Sequence, residues 1–79
     1  MTTSEIWDKN YNRYWVSFLY NQYLAGGLGT DFDSIRYWVS QFQNGETTKV
    51  ILSDEGIVED GNHRLVAAKI SGIEDCLEV

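Results

Sequence analysis

Glycine is the only strong breaker of regular structure in this chain, because its 79 residues include seven glycines and no proline. A glycine backbone loses the most conformational entropy on folding, so glycines are expected at the ends of helices and strands rather than inside them. Three glycines within four positions predict a hinge at Gly26, Gly27 and Gly29. The remaining glycines divide the rest of the chain at Gly45, Gly56, Gly61 and Gly72.

Two helices are predicted before Gly45. The first runs from about Ser4 to Ala25, since Thr2 and Glu5 have capping-box spacing. Its aromatic residues recur at helical intervals, at Trp7, Tyr11, Tyr14, Trp15 and Phe18. The second starts near Thr30 or Asp31, whose side-chain oxygens can cap free N–H groups. Its apolar stripe consists of Phe32, Ile35, Val39 and Phe42.

The second half of the chain predicts a β-hairpin, a third helix and a last strand. Residues 50–52 and 57–58 are the apolar strands of the hairpin, joined by a turn at residues 53–56. The third helix begins at Gly61 or Asn62 and is stopped by Gly72, and residues 76–79 form the strand. We therefore predict one α+β domain over residues 1–79, of which residues 1–29 are the aromatic helix and the Gly-rich hinge.

Composition and charge limit the possible functions. Hydrophobic residues make up 43% of the chain and aromatic residues 14%, which is typical of a globular domain. Twelve acidic residues against six basic ones give a net charge of -6, which repels a phosphate backbone. This charge disfavours direct nucleic-acid binding. It favours a basic protein partner, or mimicry of a polyanion by surface carboxylates.

Cysteine and hydropathy patterns predict a soluble cytoplasmic protein. Cys76 is the only cysteine, so an intramolecular disulfide is excluded, and we expect this residue to be a buried, small apolar side chain. No metal site is predicted, because a lone histidine with scattered acids lacks ligand spacing. Neither a signal-peptide pattern nor an apolar run of roughly 18 residues occurs, so no membrane association is expected.

The stretch Asp60-Gly61-Asn62-His63-Arg64 stands where an apolar strand gives way to a helix. The first N–H groups of a helix are unpaired and carry partial positive charge, so they can bind an anion. Glycine would allow close approach, the amide and imidazole can donate, and the guanidinium matches a phosphate. The alternative is an ordinary turn, with Asp60 or Asn62 as N-cap and Arg64 paired with Glu59 or another surface acid.

From about residue 30 to residue 79 the chain resembles the ParB/sulfiredoxin superfamily. The resemblance rests on the order helix, strand, strand, the D-G-x-H-R signature at Asp60–Arg64, the pair Ala67-Ala68, and then Gly72 and a terminal strand. It implies that ATP, ADP or CTP binds with Mg²⁺ at the start of the third helix. Gly61, His63 and Arg64 would then hold phosphate, and Asp60 would orient the turn or act near the metal ion.

Departures from the family pattern argue against its known reactions. Asn62 stands where sulfiredoxin has its catalytic cysteine, and an amide cannot act as that nucleophile, so sulfinic acid reduction is excluded. ParB proteins carry an acid and a second arginine where Asn62 and His63 stand, and they add a helix-turn-helix, so DNA partition is disfavoured. Kinase-like relatives need a base and a substrate pocket. Glu59 or Asp60 would supply the base, whereas no segment supplies the pocket.

The first helix also carries apolar residues at other angles, and one small core is insufficient to bury them all. They are Ile6, Val16, Tyr20, Tyr23 and Leu24. We predict that Tyr20, Tyr23 or Tyr37 lies in a homodimer or partner interface, beside acids such as Glu55 and Glu59. The alternative is a central helix covered on both sides by its own domain.

Two classes of function follow from these residues. The first is a small acidic interaction protein, an inhibitor of the phage or mobile-element type that is directed at a host nucleic-acid-processing protein. The alternative is a nucleotide-binding domain that holds phosphates at residues 60–64. No catalytic residue is predicted for the first class, whereas an enzyme of the second class would be a phosphotransferase or a nucleotidase.

Overall fold

Helix α4 (Asn62–Ser71) lies at the centre of the fold, with the other three helices packed against it. The computed structural model describes residues 1–79. The surrounding helices are α1 (Thr3–Asn10), α2 (Tyr14–Leu24) and α3 (Thr30–Gln43). Four consecutive residues of α4 are buried: Leu65, Val66, Ala67 and Ala68. Because these four residues span more than one turn, the middle of α4 contacts neighbours on several sides, and its two alanines leave room for the neighbouring helices.

Four short strands form two small sheets. They are β1 (Thr48–Lys49), β2 (Ile51–Leu52), β3 (Val58–Asp60) and β4 (Leu77–Glu78). Strand β1 pairs in parallel with β4, and β2 pairs in an antiparallel hairpin with β3. Val50, between β1 and β2, is buried, and its N–H donates to the carbonyl of Glu78 at 2.8 Å. The predicted hairpin, terminal strand and single α+β domain are therefore confirmed.

One hydrophobic core joins the helices to the strands. The helices around α4 contribute Ile6, Val16, Leu19, Phe32, Ile35 and Phe42. The strand regions contribute Val50, Val58, Cys76 and Leu77. Since all four helices and strands β3 and β4 supply residues to this cluster, no part of the chain forms a separate domain. None of the helices combines the length and the apolar character needed to cross a membrane.

The single helix predicted from Ser4 to Ala25 is wrong, because the chain leaves the helical path after Asn10. The side chain of Asn10 is 0% exposed, and its Nδ2 donates to the carbonyls of Ile6 at 2.7 Å and Gly56 at 3.1 Å. Its Oδ1 accepts from the N–H of Val58 at 2.9 Å and from Arg13 at 3.0 Å. A buried amide must be hydrogen-bonded, and this one ties the end of α1 to the hairpin.

The break between α1 and α2 changes which aromatic residues face the core. Helix α2 buries Val16 and Leu19 and half-buries Tyr20 and Tyr23. The side chains of Tyr11, Tyr14, Trp15 and Phe18, which share a predicted aromatic series with Trp7, are all exposed. A second helix that starts after a turn has its own phase, so a periodicity counted from Trp7 does not continue into it. The central helix is α4, not the aromatic N-terminal segment.

The glycine boundaries are confirmed at three helix ends, since α2, α3 and α4 end shortly before Gly26, Gly45 and Gly72. The predicted capping box is present as well. Glu5 N–H donates to Thr2 Oγ1 at 3.1 Å, and Thr2 N–H donates to Glu5 Oε1 at 2.8 Å. The expected side-chain cap of α3 is wrong, because Gly29 is its N-cap and no side chain caps it.

Replacing Asn10 with alanine is expected to destabilise the fold by at least about 2 kcal/mol. The buried N–H of Val58 and two carbonyls lose their partner, and a buried polar group left unpaired costs about 1–3 kcal/mol. Urea unfolding followed by circular dichroism measures the change. The matched control, Asn12→Ala, removes an exposed amide and should stay within about 0.5 kcal/mol of the wild type. Equal losses in both variants would contradict the role given to Asn10.

Candidate functional site

The turn between β3 and α4 is built around Gly61, which is the N-cap of α4 and has a φ of 112°. L-residues with a side chain rarely adopt this backbone conformation. A Cβ at this position would also lie 2.7 Å from Cγ1 of Val50. Gly61 is therefore required by the close approach of the turn to the segment between β1 and β2. This requirement holds whether or not a ligand binds.

Asn62, the first residue of α4, faces the turn between α1 and α2. Its Oδ1 accepts a hydrogen bond from Nη1 of Arg13 at 3.0 Å, and the same nitrogen donates to Oδ1 of Asn10 at 3.0 Å. The guanidinium of Arg13 thus joins two side-chain amides from opposite ends of the chain. Asn62 uses its oxygen for this contact and does not cap the helix.

His63 joins the start of α4 to the start of α3. Its Nε2 lies 2.8 Å from Oδ1 of Asp31, and both side chains are part-exposed. The ring of Trp15 meets the imidazole edge-on, with 6.3 Å between the ring centroids. The imidazole is therefore oriented by a carboxylate on one side and an indole on another.

Arg64 turns towards the strand side of the fold rather than towards an acid. Its Nη1 donates to the carbonyl of Lys49 at 2.9 Å, and its guanidinium carbon lies 5.2 Å from the ring centroid of Trp38. This combines a hydrogen bond with a cation–π contact. The expected pairing with Glu59 or another surface acid is wrong. The cause is that the ring of Trp38 and the carbonyl of Lys49 lie within reach of the guanidinium.

The N-terminus of α4 has no side-chain cap, so the alternative in which Asp60 or Asn62 is the N-cap is wrong. Asp60 is exposed and belongs to β3, where it is paired with Ile51. The backbone N–H of Leu65 makes the hydrogen bond to the carbonyl of Gly61. The structure thus brings Gly61, Asn62, His63 and Arg64 to one helix start, but it engages each of the three polar side chains within the protein.

Few other groups of the protein are candidates for chemistry. Cys76 is buried as predicted, with Sγ donating to the carbonyl of Ile73 at 3.5 Å, and burial raises the pKa of its thiol. No three His, Cys, Asp or Glu side chains lie close enough to hold a metal ion. The carboxylate of Glu74 accepts from Ser4 N–H at 2.9 Å and Oγ at 2.7 Å, and these bonds lower its pKa. That group stabilises the start of α1.

Four residues that complete the site were not identified from the sequence. They are Arg13, Asp31, Trp15 and Trp38. The Arg13–Asn62 contact spans 49 positions and the Asp31–His63 contact spans 32, so no local spacing signals either one. The only sequence features that point to these contacts are an isolated Arg between two aromatic segments and an Asp at a helix start. Both features are common on protein surfaces.

The hairpin next to this turn carries a group of exposed acids, which we call the acidic hairpin: Asp54, Glu55, Glu59 and Asp60. No Lys or Arg occurs from residue 50 to residue 63. The stem of Lys9 passes beside Gly56, yet the only ion pairs in the protein are Arg36–Asp33 and His63–Asp31. The carboxylates of the acidic hairpin therefore have no neutralising partner.

The predicted interface tyrosines have different exposures. Tyr20 and Tyr23 are half-buried against the core, whereas Tyr37 on α3 is 56% exposed. The rings most exposed on α2 belong to Tyr14, Trp15 and Phe18, which we call the α2 aromatic face. Trp15 and Phe18 are stacked at 5.6 Å, and Tyr14 and Phe18 at 6.2 Å.

Comparison of this chain with protein-family models, curated proteins and solved structures finds no match.

Gly61→Ala is expected to destabilise the protein by about 2–5 kcal/mol. A positive φ costs alanine roughly 1–2 kcal/mol, and the clash with Val50 adds an overpacking cost of about 1–3 kcal/mol. Gly45→Ala is the matched control, because its φ of 89° is also positive while no atom lies within 4 Å of the added Cβ. Urea unfolding measures both variants.

The clash is separated from the backbone strain by a double-mutant cycle. Gly61→Ala should cost less in a Val50→Ala background than in the wild type, since the shortened side chain makes room for the new methyl group. Strict additivity of the two substitutions would contradict the close approach of residues 50 and 61.

Proposed function

We propose that the protein acts by binding a basic protein surface through the acidic hairpin, as a small inhibitor of a nucleic-acid-processing protein. The observation that carries this proposal is the hairpin itself, with Asp54, Glu55, Glu59 and Asp60 exposed and no ion-pair partner among them. Surfaces that bind nucleic acid are rich in Lys and Arg, and these side chains complement such a row of carboxylates.

The geometry of a hairpin suits this role. Residues of a strand advance by about 3.3 Å and alternate between its two faces, so Glu59 and Asp60 present carboxylates on both sides of β3. Asp54 and Glu55 add two more at the turn. A partner that contacts both faces of the hairpin and its turn would therefore meet carboxylates at each of them, as it meets phosphates along a nucleic-acid backbone.

The engagement of the polar turn side chains supports binding rather than catalysis. Asn62, His63 and Arg64 each contact another group of the same protein, and the thiol of Cys76 is buried. A catalytic site needs a base or nucleophile that can reach a substrate. The free groups beside the helix start are the carboxylates of Glu59 and Asp60, and the pocket of the protein lies along α2 instead of at this turn, so these carboxylates have no substrate pocket and are available to a partner.

A ParB/sulfiredoxin-like fold, a phage or mobile-element origin and a cytoplasmic location form part of the same proposal. Over residues 30–79 the chain has its helix, hairpin, D-G-x-H-R turn, central helix and terminal strand in the expected order. The inhibitor would then retain the fold of the superfamily without its catalytic activity and would act by binding through its surface.

The test begins with identification of the partner by photocrosslinking. A benzoyl-phenylalanine placed at Ile57, within the hairpin, is activated in a host lysate, and the crosslinked protein is identified by mass spectrometry. Support requires that the purified partner binds nucleic acid, and that duplex DNA competes with this chain for it. A partner that is indifferent to DNA would contradict the proposal.

Neutralising the hairpin should then weaken binding to the purified partner by roughly tenfold or more, which corresponds to about 1.4 kcal/mol. The variant is Glu55→Gln with Glu59→Gln, and the measurement is calorimetry at two salt concentrations. Glu46→Gln with Glu78→Gln changes the net charge equally at exposed positions outside the hairpin and should weaken binding less than threefold. Equal effects of the two pairs would show that only net charge matters.

A second candidate function is nucleotide binding at the start of α4, with ATP, ADP or CTP and Mg²⁺. It is favoured by one observation: the helix start has no side-chain cap, and the indole of Trp15 lies beside His63 at this end. Free backbone amides can hold a phosphate and an indole can stack on a base. Binding would require Arg64 to exchange the Lys49 carbonyl for the phosphate.

If this second candidate is correct, millimolar nucleotide with magnesium raises the melting temperature by several degrees. Ligand at a hundred times its dissociation constant contributes about 2.7 kcal/mol to stability, which is large for so small a domain. The shift should vanish in Arg64→Ala and persist in Arg36→Ala, an equal charge change on α3. No shift with any of the three nucleotides would eliminate this function.

A further inference from the structure

Helix α2 is the only helix of the protein without an acidic or basic side chain. Residues 14–24 contain no Asp, Glu, Lys, Arg or His, whereas each of the other three helices carries several charged groups. Its outer side is the α2 aromatic face, where Tyr14 is 82% exposed and Trp15 and Phe18 are each 37% exposed. Stacked rings held open to water on an uncharged helix are unfavourable unless something covers them.

We infer that the α2 aromatic face is covered by a second copy of this chain, with the two α2 helices antiparallel across a two-fold axis. This inference is independent of the acidic hairpin. It gives the protein a homodimeric form whose interface includes none of the four acids of the hairpin. A symmetric pair is the commonest assembly of soluble proteins, and it requires a surface that is complementary to itself.

Charge favours a second copy over a basic partner at this face. Each chain carries a net charge of -6, so two copies repel each other wherever acids face acids. At α2 they can meet without burying a like-charged pair. A basic partner would gain no ion pair from this helix, because its complementary charge lies on the acidic hairpin instead.

The shape of the face is complementary to itself in the antiparallel arrangement. A shallow pocket of about 460 Å³ lies along α2 and is lined by Asn12, Tyr14, Ser17, Phe18, Asn21 and Gln22. If the two-fold axis passes between residues 17 and 18, the ring of Phe18 lies over the small Ser17 of the other copy. A large side chain then fills the space left by a small one, as in ridge-and-groove packing of helices.

The same axis gives the polar groups of the face their partners. Tyr14 then lies opposite Asn21 of the other copy, two helical turns from its own Asn21. The tyrosine hydroxyl can donate to that amide while its ring packs on the neighbouring Phe18. A parallel pair would instead place tyrosine against tyrosine and amide against amide. The tyrosine hydroxyls would then not reach the amides of the other copy.

Analytical ultracentrifugation of the full chain over a wide concentration range tests the inference. The monomer mass is 9.1 kDa, and the wild type is expected to approach twice this mass as concentration rises. Phe18→Glu places two carboxylates near the axis and should weaken the dimer at least tenfold. Tyr37→Glu, which adds the same charge at an exposed ring on α3, should leave it unchanged. A wild type that stays monomeric throughout overturns the inference.

Charge pairing tests the antiparallel register. Tyr14→Lys and Asn21→Glu should each weaken the dimer, and the double variant should recover it by placing each lysine opposite a glutamate of the other copy. Within one chain these positions are about 10.5 Å apart along the helix, too far to pair with each other. Failure of the double variant to recover, with circular dichroism showing folded protein, overturns the proposed arrangement. Neutralising the acidic hairpin should not dissociate the dimer.

Discussion

The buried side-chain amide of Asn10 is the contact on which the rest of the structure depends. It lies at the end of α1 and forms hydrogen bonds with Gly56 and Val58 of the hairpin. It also accepts a hydrogen bond from Arg13, which donates to Asn62 at the start of α4. A single side chain thereby positions the N-terminal helices, the hairpin and the central helix relative to one another. Because all of its polar atoms are paired, the network stabilises one arrangement instead of leaving costly unsatisfied groups in the core.

Because Asn10 turns the chain, it also determines which aromatic residues face water. Helix α2 starts again at Tyr14 with a new phase, so Val16 and Leu19 enter the core while Tyr14, Trp15 and Phe18 remain outside. A continuous helix from residue 4 to residue 25 would have had a single phase throughout. The exposed aromatic face is thus a consequence of the break and not of a surplus of apolar residues.

Helix ends could be predicted from the sequence because a glycine with positive φ is a local signal. The ends of α2, α3 and α4, the hairpin and the start of α4 all follow from residues within a few positions of the boundary. The break after Asn10 could not, since its causes lie 46 and 48 positions away in the hairpin. Likewise, the start of α4 at Gly61 and Asn62 follows from local sequence, whereas the contacts of its side chains with Arg13, Asp31 and Trp38 depend on tertiary packing.

Basic groups near the polar turn are engaged in contacts within the protein, whereas the acids of the hairpin are not. Arg13, His63 and Arg64 are drawn into contacts with an amide, a carboxylate and a strand carbonyl, so three of the cationic or protonatable groups are satisfied inside the protein. The acids of the hairpin are exposed and have no ion-pair partner, because the nearby arginines are engaged elsewhere. Because these basic groups are held in contacts within the protein, the carboxylates of the hairpin stay without an ion-pair partner, and the proposed binding of a basic partner depends on this property.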